Sequence, residues 1–304
     1  MTDCVFITCR RIPFLDADDR IALAELAARG IGTSIAIWDD PLVDWSRARL
    51  CILRSTWDYH LHYARFIDWL TRVGSATTVR NDPQTIRWSA DKSYLESLQS
   101  RGVPVVPTVA VPRGGHCALA AIAESRGWRD VVVKPRRGAA SHAVLRASLA
   151  VSDQRAAAQA HLEAITRLGD ALIQPYLSSV QSYGERALVF FAGRFSHAVR
   201  KKPFDTELAV DRASTRVAPT CDELAVASKA IAALDEPPLY ARVDLLRGAS
   251  GEPYLNELEL VEPTLYFQTY EPARRRFADA VELTLASTPA RWNCPKSPAA
   301  AFES

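Results

Sequence analysis

The stretch that most limits how this chain can fold is 240–246 (YARVDLL) together with 254–263 (YLNELELVEP). Apolar residues alternate there with Arg242, Asp244, Glu257 and Glu259, which predicts two strands. The connecting 247–253 (RGASGEP) has hairpin turn chemistry. Side chains alternate along a strand, so Arg242 and Asp244 share a face, as do Glu257 and Glu259, and a regular strand turns Asn256 the other way. Folding about Ser250 sets Asp244 opposite Asn256 or Glu257. Asp244, Glu257 and Glu259 then converge, where unpaired carboxylates repel and resist burial. A hard divalent cation with oxygen ligands removes that conflict, and Mg²⁺ commonly sits on phosphates as well. The competing reading is a solvated face of ion pairs, which the poor strand propensity of Asp and Glu disfavours.

The chain has 304 residues, enough for two or three domains with ample core. A net charge of +2 is too balanced to predict nucleic-acid binding, though local basic clusters can still hold phosphates. No apolar run reaches membrane-spanning length, and no signal peptide is expected at the N-terminus. Cysteines 4, 9, 51, 117, 221 and 294 are scattered without a CxxC pair, which predicts reduced thiols and a cytoplasmic protein.

Residues 1–90 alternate strand and helix: strands over 5–9, 32–38 and 50–54, helices over 18–29 and 63–73. That pattern predicts a small parallel sheet with ligands beyond the carboxyl ends of its strands. The segment 54–59 (RSTWDY) falls at such an end. Arg54, Ser55, Thr56, Asp58 and Tyr59 suit a zwitterionic amino acid, with Arg54 forking onto its carboxylate and Asp58 taking its ammonium. Core aromatics beside an ion pair are the plainer alternative. Asp16 borders the same pocket, although a helix cap is its commoner role, and Glu262 follows the acidic strand and faces the substrate in this reading.

Further along, a helix carries Lys92, and Lys134 ends an apolar strand before the small basic loop 136–141 (RRGAAS). Small residues let backbone approach a ligand, and a lysine there neutralises phosphate charge. Alone, each lysine is a solvated surface residue. The run Arg200-Lys201-Lys202 ends another strand and suits an anion. Alternation puts Lys201 and Lys202 on opposite faces, and Lys202 is favoured because it shares a face with Arg200. His197 reads as a core histidine.

The order of these features resembles the ATP-grasp superfamily over nearly the whole chain. The motifs are Asp91-Lys92, Val133-Lys134-Pro135 with Gly138, 173–177 (IQPYL), Gly184-Glu185, and Arg242-Val-Asp244 with 256–259 (NELE). Each is weak alone; their order and spacing carry the resemblance. It implies a mixed α/β and α+β fold: a parallel N-terminal substrate-side domain (1–90), a central ATP-grasp subdomain (91–173), and a C-terminal subdomain with the metal site (174–304). It also implies ATP with one or two Mg²⁺. Lys92 and Lys134 would then contact phosphates, with Gly138 and Ser141 in the loop closing over them. Gln174, Pro175, Tyr176 and Leu177 would form the adenine hinge, with Glu185 near the ribose. Lys201 or Lys202 would reach the transferred phosphate, and Arg242 would stabilise a tetrahedral oxyanion. Many members end the acidic hairpin in Glu-x-Asn, where this chain has Glu257-Leu258-Glu259, so its ligand set departs from the common one. The implied activity is a carboxylate–amine ligase with an acyl-phosphate intermediate and a small amino-acid-like substrate. The amine belongs either to a second amino acid or to the same molecule, giving a ring. A non-catalytic nucleotide-binding regulatory module is the alternative from another class, and a homodimer is left open.

Overall fold

The computed structural model describes residues 2–139, 142–201 and 214–288, in which three sheets carry the fold. The first sheet is parallel, in the order β2 (Thr33–Ile37), β1 (Thr2–Thr8), β3 (Ala48–Ser55), β4 (Thr78–Arg80). On β1, Cys4 and Phe6 pack toward helices α1 (Ala17–Ala28) and α9 (Pro272–Ser287), while Val5 and Ile7 pack toward α2 (Tyr63–Ala76). Both faces are covered, which is why this strand reads as a continuous apolar run.

The second sheet is antiparallel, in the order β5 (Val109–Val111), β8 (Ala171–Pro175), β6 (Asp130–Pro135), β7 (Leu145–Ser148). Leu119 and Ala123 of α5 (Leu119–Ser125), with Ala158 and Leu162 of α6 (Ser152–Leu168), cover one face through Val131, Val133 and Ile173. Alternation turns Lys134 and Gln174 to the opposite face.

The third sheet is also antiparallel, in the order β11 (Thr215–Val217), β10 (Arg194–Lys201), β9 (Glu185–Phe191), β12 (Tyr240–Arg247), β13 (Pro253–Glu259). Leu188, Phe190, Ala241 and Val243 pack one face on α4 (Tyr94–Ser100) and α8 (Cys221–Ala232). The other face buries Ala187, Val189 and Val199 against the first sheet's core. Its remaining end carries the charged residues of the acidic hairpin. Short helices α3 (Pro83–Ser89) and α7 (Ser179–Ser182) complete the connections. Among the described residues, no helix is long and apolar enough to cross a membrane.

Two buried polar side chains fix the first sheet to the third. Asn81 donates to Tyr240 O (2.9 Å) and Leu260 O (2.7 Å) and accepts from Leu239 N (2.8 Å). The Tyr240 hydroxyl lies 2.7 Å from Leu53 O and 2.9 Å from Val261 O. The carboxyl end of β3 is thereby held beside the acidic hairpin.

The secondary structure departs from sequence expectation at Lys92 and in the shortest strands. Lys92 sits in a turn between α3 and α4, because the Asp91 side chain accepts from Ser93 N (3.0 Å) and interrupts the helix. Strands β4, β7 and β11 have three or four residues, too few to show a period.

Replacing Asn81 with Ala strands three buried backbone groups. The expected loss is at least about 2 kcal/mol in urea unfolding. A change below about 0.5 kcal/mol would contradict this junction.

Candidate active site

The hairpin pairs Asp244 with Glu257 and Arg242 with Glu259, so these four side chains share a face. The register shifts between Asp244 and Leu245, whose partner is Leu255, leaving Asn256 as the extra residue. This bulge corrects the expectation for Asn256. Leu255 and Leu258 both pack in the core, three residues apart, and Asn256 turns with Glu257 toward the charged face. Its amide donates to Glu185 Oε1 (3.2 Å).

Cations arrive from every side. Lys134, at the end of β6, reaches Glu257 Oε1 at 3.2 Å, and Lys92 reaches the same oxygen at 3.6 Å. Lys92 also donates to Gly138 O (2.7 Å). Asp91 receives Arg136 and Arg137, each at 2.7 Å, and so moors the base of the loop whose residues 140 and 141 lie outside the described set. Ser141 is therefore not placed. Lys201 contacts Asp244 (2.8 Å) and Glu185 (3.0 Å). Arg242 contacts Asp244 (2.9 Å) and Glu259 (3.5 Å).

Lys202, expected on the same face as Arg200, also lies outside the described residues. Arg200 occupies the face away from the site, donating to Ser182 O (2.6 Å), and Lys201 pairs with Glu185 across the ladder. Gly184 makes this junction possible. Its φ is +81°, and a Cβ there would stand 2.9 Å from Lys201 O.

The charges decide each carboxyl's state. Burial pushes Glu257 up, but Lys92 and then Lys134 outweigh it and hold the group well below the usual carboxylate range. Asp244 is likewise raised by burial and brought below its ordinary value by Arg242 and Lys201. In return Lys201 and Arg242, although disfavoured by burial, are held above theirs, chiefly by Asp244. Glu259 has less compensation: burial lifts it to about 7, with Arg242 opposing and Glu257 adding. Burial and then Glu259 lift Glu262 well above its ordinary range. Among the described residues, no three His, Cys, Asp or Glu side chains stand close enough to hold a metal ion unaided. Asp244, Glu257 and Glu259 share a face, but basic side chains lie between them.

The segment after β3 behaves differently from expectation. Arg54 is 1% exposed and forks inward onto Asp19 (2.8 Å) and Pro263 O (2.5 Å), with its guanidinium over Tyr240. A buried guanidinium needs a carboxylate, and α1 supplies one to Nε and Nη2, while Nη1 has no hydrogen-bond partner among the described residues. Ser55 donates to Asp19, Asp58 accepts from Trp38 Nε1 (2.9 Å), and Tyr59 stacks obliquely on Phe66. Asp16 caps α1 by accepting from Asp18 N (2.8 Å). Thr56 keeps a buried hydroxyl without a hydrogen-bond partner among the described residues, and Glu262 is 5% exposed beside the charged face.

At the hinge, Gln174 donates to Thr108 Oγ1 (2.9 Å) and Tyr176 N donates to Asp130 O (2.8 Å). Pro175 ends β8, and Leu177 O accepts from Val180 N. Sequence reasoning overlooked Asp19, Asn81 and Tyr266. Tyr266 is buried with φ +55°, and nothing in its flanking residues marks it.

Residues 4–81 match the family of the D-cycloserine synthetase DcsG N-terminal domain. The cycloserine biosynthesis protein DcsG of Streptomyces lavendulae is 37% identical over 268 residues, covering 83% of this chain and 88% of that one. The crystal structure of D-cycloserine synthetase DcsG superposes with a TM-score of 0.85 at 34% identity, over 93% of this chain and 99% of that chain. D-alanine–D-alanine ligase from Bacillus anthracis shares the fold at 12% identity, with a TM-score of 0.67 over 94% of this chain and 98% of that chain. The three-sheet architecture is that of the ATP-grasp ligases, enzymes that use ATP to form C–N bonds. Within that class, the chain belongs to the DcsG family.

Glu259 gives a pH test in metal-free protein. Its native value, raised from 4.5 to about 7, means that the folded form binds more protons than the unfolded chain between those values. Its contribution to stability is therefore present at low pH and lost as pH rises through about 7. Glu259→Gln should flatten the urea-measured decline between about pH 5 and pH 8 by on the order of 2 kcal/mol. Identical pH profiles for variant and parent would contradict the assigned burial.

Proposed function

We propose that this enzyme phosphorylates the carboxylate of a small amino-acid-like substrate with ATP and then lets an amine displace the phosphate. ADP and phosphate leave, and an amide remains. The carrying observation is that Lys92 and Lys134, from two separate elements, meet one oxygen of Glu257 at 3.6 and 3.2 Å. That is where phosphates and a divalent cation would exchange places with the present ion pairs.

The residues fit Mg²⁺ on donor chemistry. All the candidates are hard oxygens, and Mg²⁺ is usually held by one or two carboxylates plus phosphate rather than by a full protein cage. Glu257 and Glu259, with Asp244 behind them, would hold one or two such ions. Bound there, Mg²⁺ would neutralise and orient phosphate oxygens. Lys92, Lys134 and the backbone of 136–139 would bind the phosphates, and Lys201 would face the transferred one. Glu185, tied to Lys201, orients that ammonium in this reading and does not stand free for a ribose. Residues 174–177 would line the adenine, and Arg242 would face the carboxyl oxygen that gains charge. Thr56, Tyr59 and Glu262 would border the substrate.

The likeness to DcsG supports the narrower reading that the amine belongs to the same molecule. O-ureido-D-serine would then close through its oxygen-bound ureido nitrogen, and water would release the carbamoyl group as carbamate (CO₂ and ammonia) to leave D-cycloserine. The buried thiols Cys4, Cys9 and Cys51 are free among the described residues.

Glu257→Gln should abolish substrate-dependent ADP release, lowering it by at least about 100-fold, while leaving the unfolding transition cooperative. It should also remove the rise in Tm that Mg²⁺ with a non-hydrolysable ATP analogue gives the parent. Parent-like turnover in this variant would refute the metal assignment.

A further inference from the structure

We propose that the Tyr266 hydroxyl is a catalytic hydrogen-bond donor. It acts beside Arg242 on the substrate carboxyl oxygen that becomes negative when the amine attacks. The inference rests on the ligase reading above.

Tyr266 lies in the connection between β13 and α9 and has φ +55°. A bulky residue rarely takes this left-handed conformation, and such conformations persist where the surroundings impose them. Here a turn does so: Tyr266 O accepts from Thr269 N (3.0 Å) and from Thr269 Oγ1 (2.9 Å). The ring packs in the core with Leu239, Leu265 and Phe267, leaving the residue 2% exposed.

The hydroxyl at the end of that ring has no hydrogen-bond partner among the described residues. Buried hydroxyls without partners are uncommon, and each calls for an explanation. The charged groups around this one are Arg242, Lys201, Asp244 and Glu185. The two cations cannot accept a hydrogen bond. Asp244 is already engaged by Arg242 and Lys201, and Glu185 by Lys201 and Asn256. Arg242 also approaches this loop directly, with Nη1 3.5 Å from Thr264 O. A phenol donor beside a guanidinium and an ammonium lacks one thing, an oxyanion acceptor.

In the second half-reaction the amine nitrogen forms a bond to the acyl carbon. The carbonyl pair moves onto oxygen, where Tyr266 and Arg242 hold it. That pair returns as the carbon–oxygen bond to phosphate breaks, and the nitrogen's proton leaves with the phosphate. Tyr266 transfers no proton and is unchanged at the end.

The test is Tyr266→Phe in the full-length enzyme, assayed for ADP release with Mg-ATP and O-ureido-D-serine. Phenylalanine keeps the ring packing and removes only the orphan oxygen. The expected result is a kcat about 100-fold lower, with KM for ATP and for the amino acid within about twofold. Tm should be unchanged or higher, because an unsatisfied buried hydroxyl is lost. A parent-like kcat would overturn the inference alone. A fall in kcat accompanied by a lower Tm would overturn it too, by assigning the residue a structural role. Absence of amino-acid-dependent ADP release in the parent would instead overturn the ligase reading, and this inference with it.

Discussion

Everything in this structure answers to the carboxylates on one face of the β12–β13 hairpin. Asp244 is 1% exposed, and Glu257 and Glu259 stand beside it. Bringing such groups together away from water is unfavourable unless cations meet them. The chain provides Arg242 from the same hairpin, Lys201 from β10, Lys134 from the second sheet and Lys92 from the turn before α4. The second and third sheets are thus drawn together by charge at the point where they face each other. The same groups that neutralise the carboxylates are those a phosphate chain would require. Compensation is incomplete at Glu259 and Glu262, both raised in pKa chiefly by burial, so these two carboxyls hold their protons to higher pH than free ones do.

The first sheet contributes position more than charge. Its buried cation, Arg54, is held by Asp19 and by the Pro263 carbonyl, and Asn81 and Tyr240 tie its edge to the hairpin. These contacts hold the segment after β3 beside the hairpin, with Tyr59 near Glu262, Glu259 and Glu257. D-alanine–D-alanine ligase keeps the same architecture at 12% identity. On that shared architecture, the charged face of this chain carries Glu259, and the buried Tyr266 hydroxyl has no hydrogen-bond partner among the described residues.

Much of this was legible in the sequence, because alternation is a strong signal in strands with one charged face. The placing of Asp244 opposite Asn256 or Glu257, the strand-end Lys134 and the longer strands follow from period and turn chemistry. The failures arise where local period no longer decides, through an irregular ladder or through partners on other elements. A bulge turned Asn256 inward, and no local residue announces it. The choice between Lys201 and Lys202 depended on which face of β10 meets the site, a tertiary fact set by β9. Arg54 looked available because its partner Asp19 lies 35 residues earlier, on another element. Tyr266 gave no signal, since neither a left-handed tyrosine nor an unpartnered hydroxyl can be read from composition.

The most direct measurement is mass spectrometry of the products formed from Mg-ATP and a panel of amino acids that includes O-ureido-D-serine. ADP with D-cycloserine formed from that single substrate is the predicted result. ADP with a condensed product of two amino acids, or no product from any of them while ATP still binds, would contradict the account.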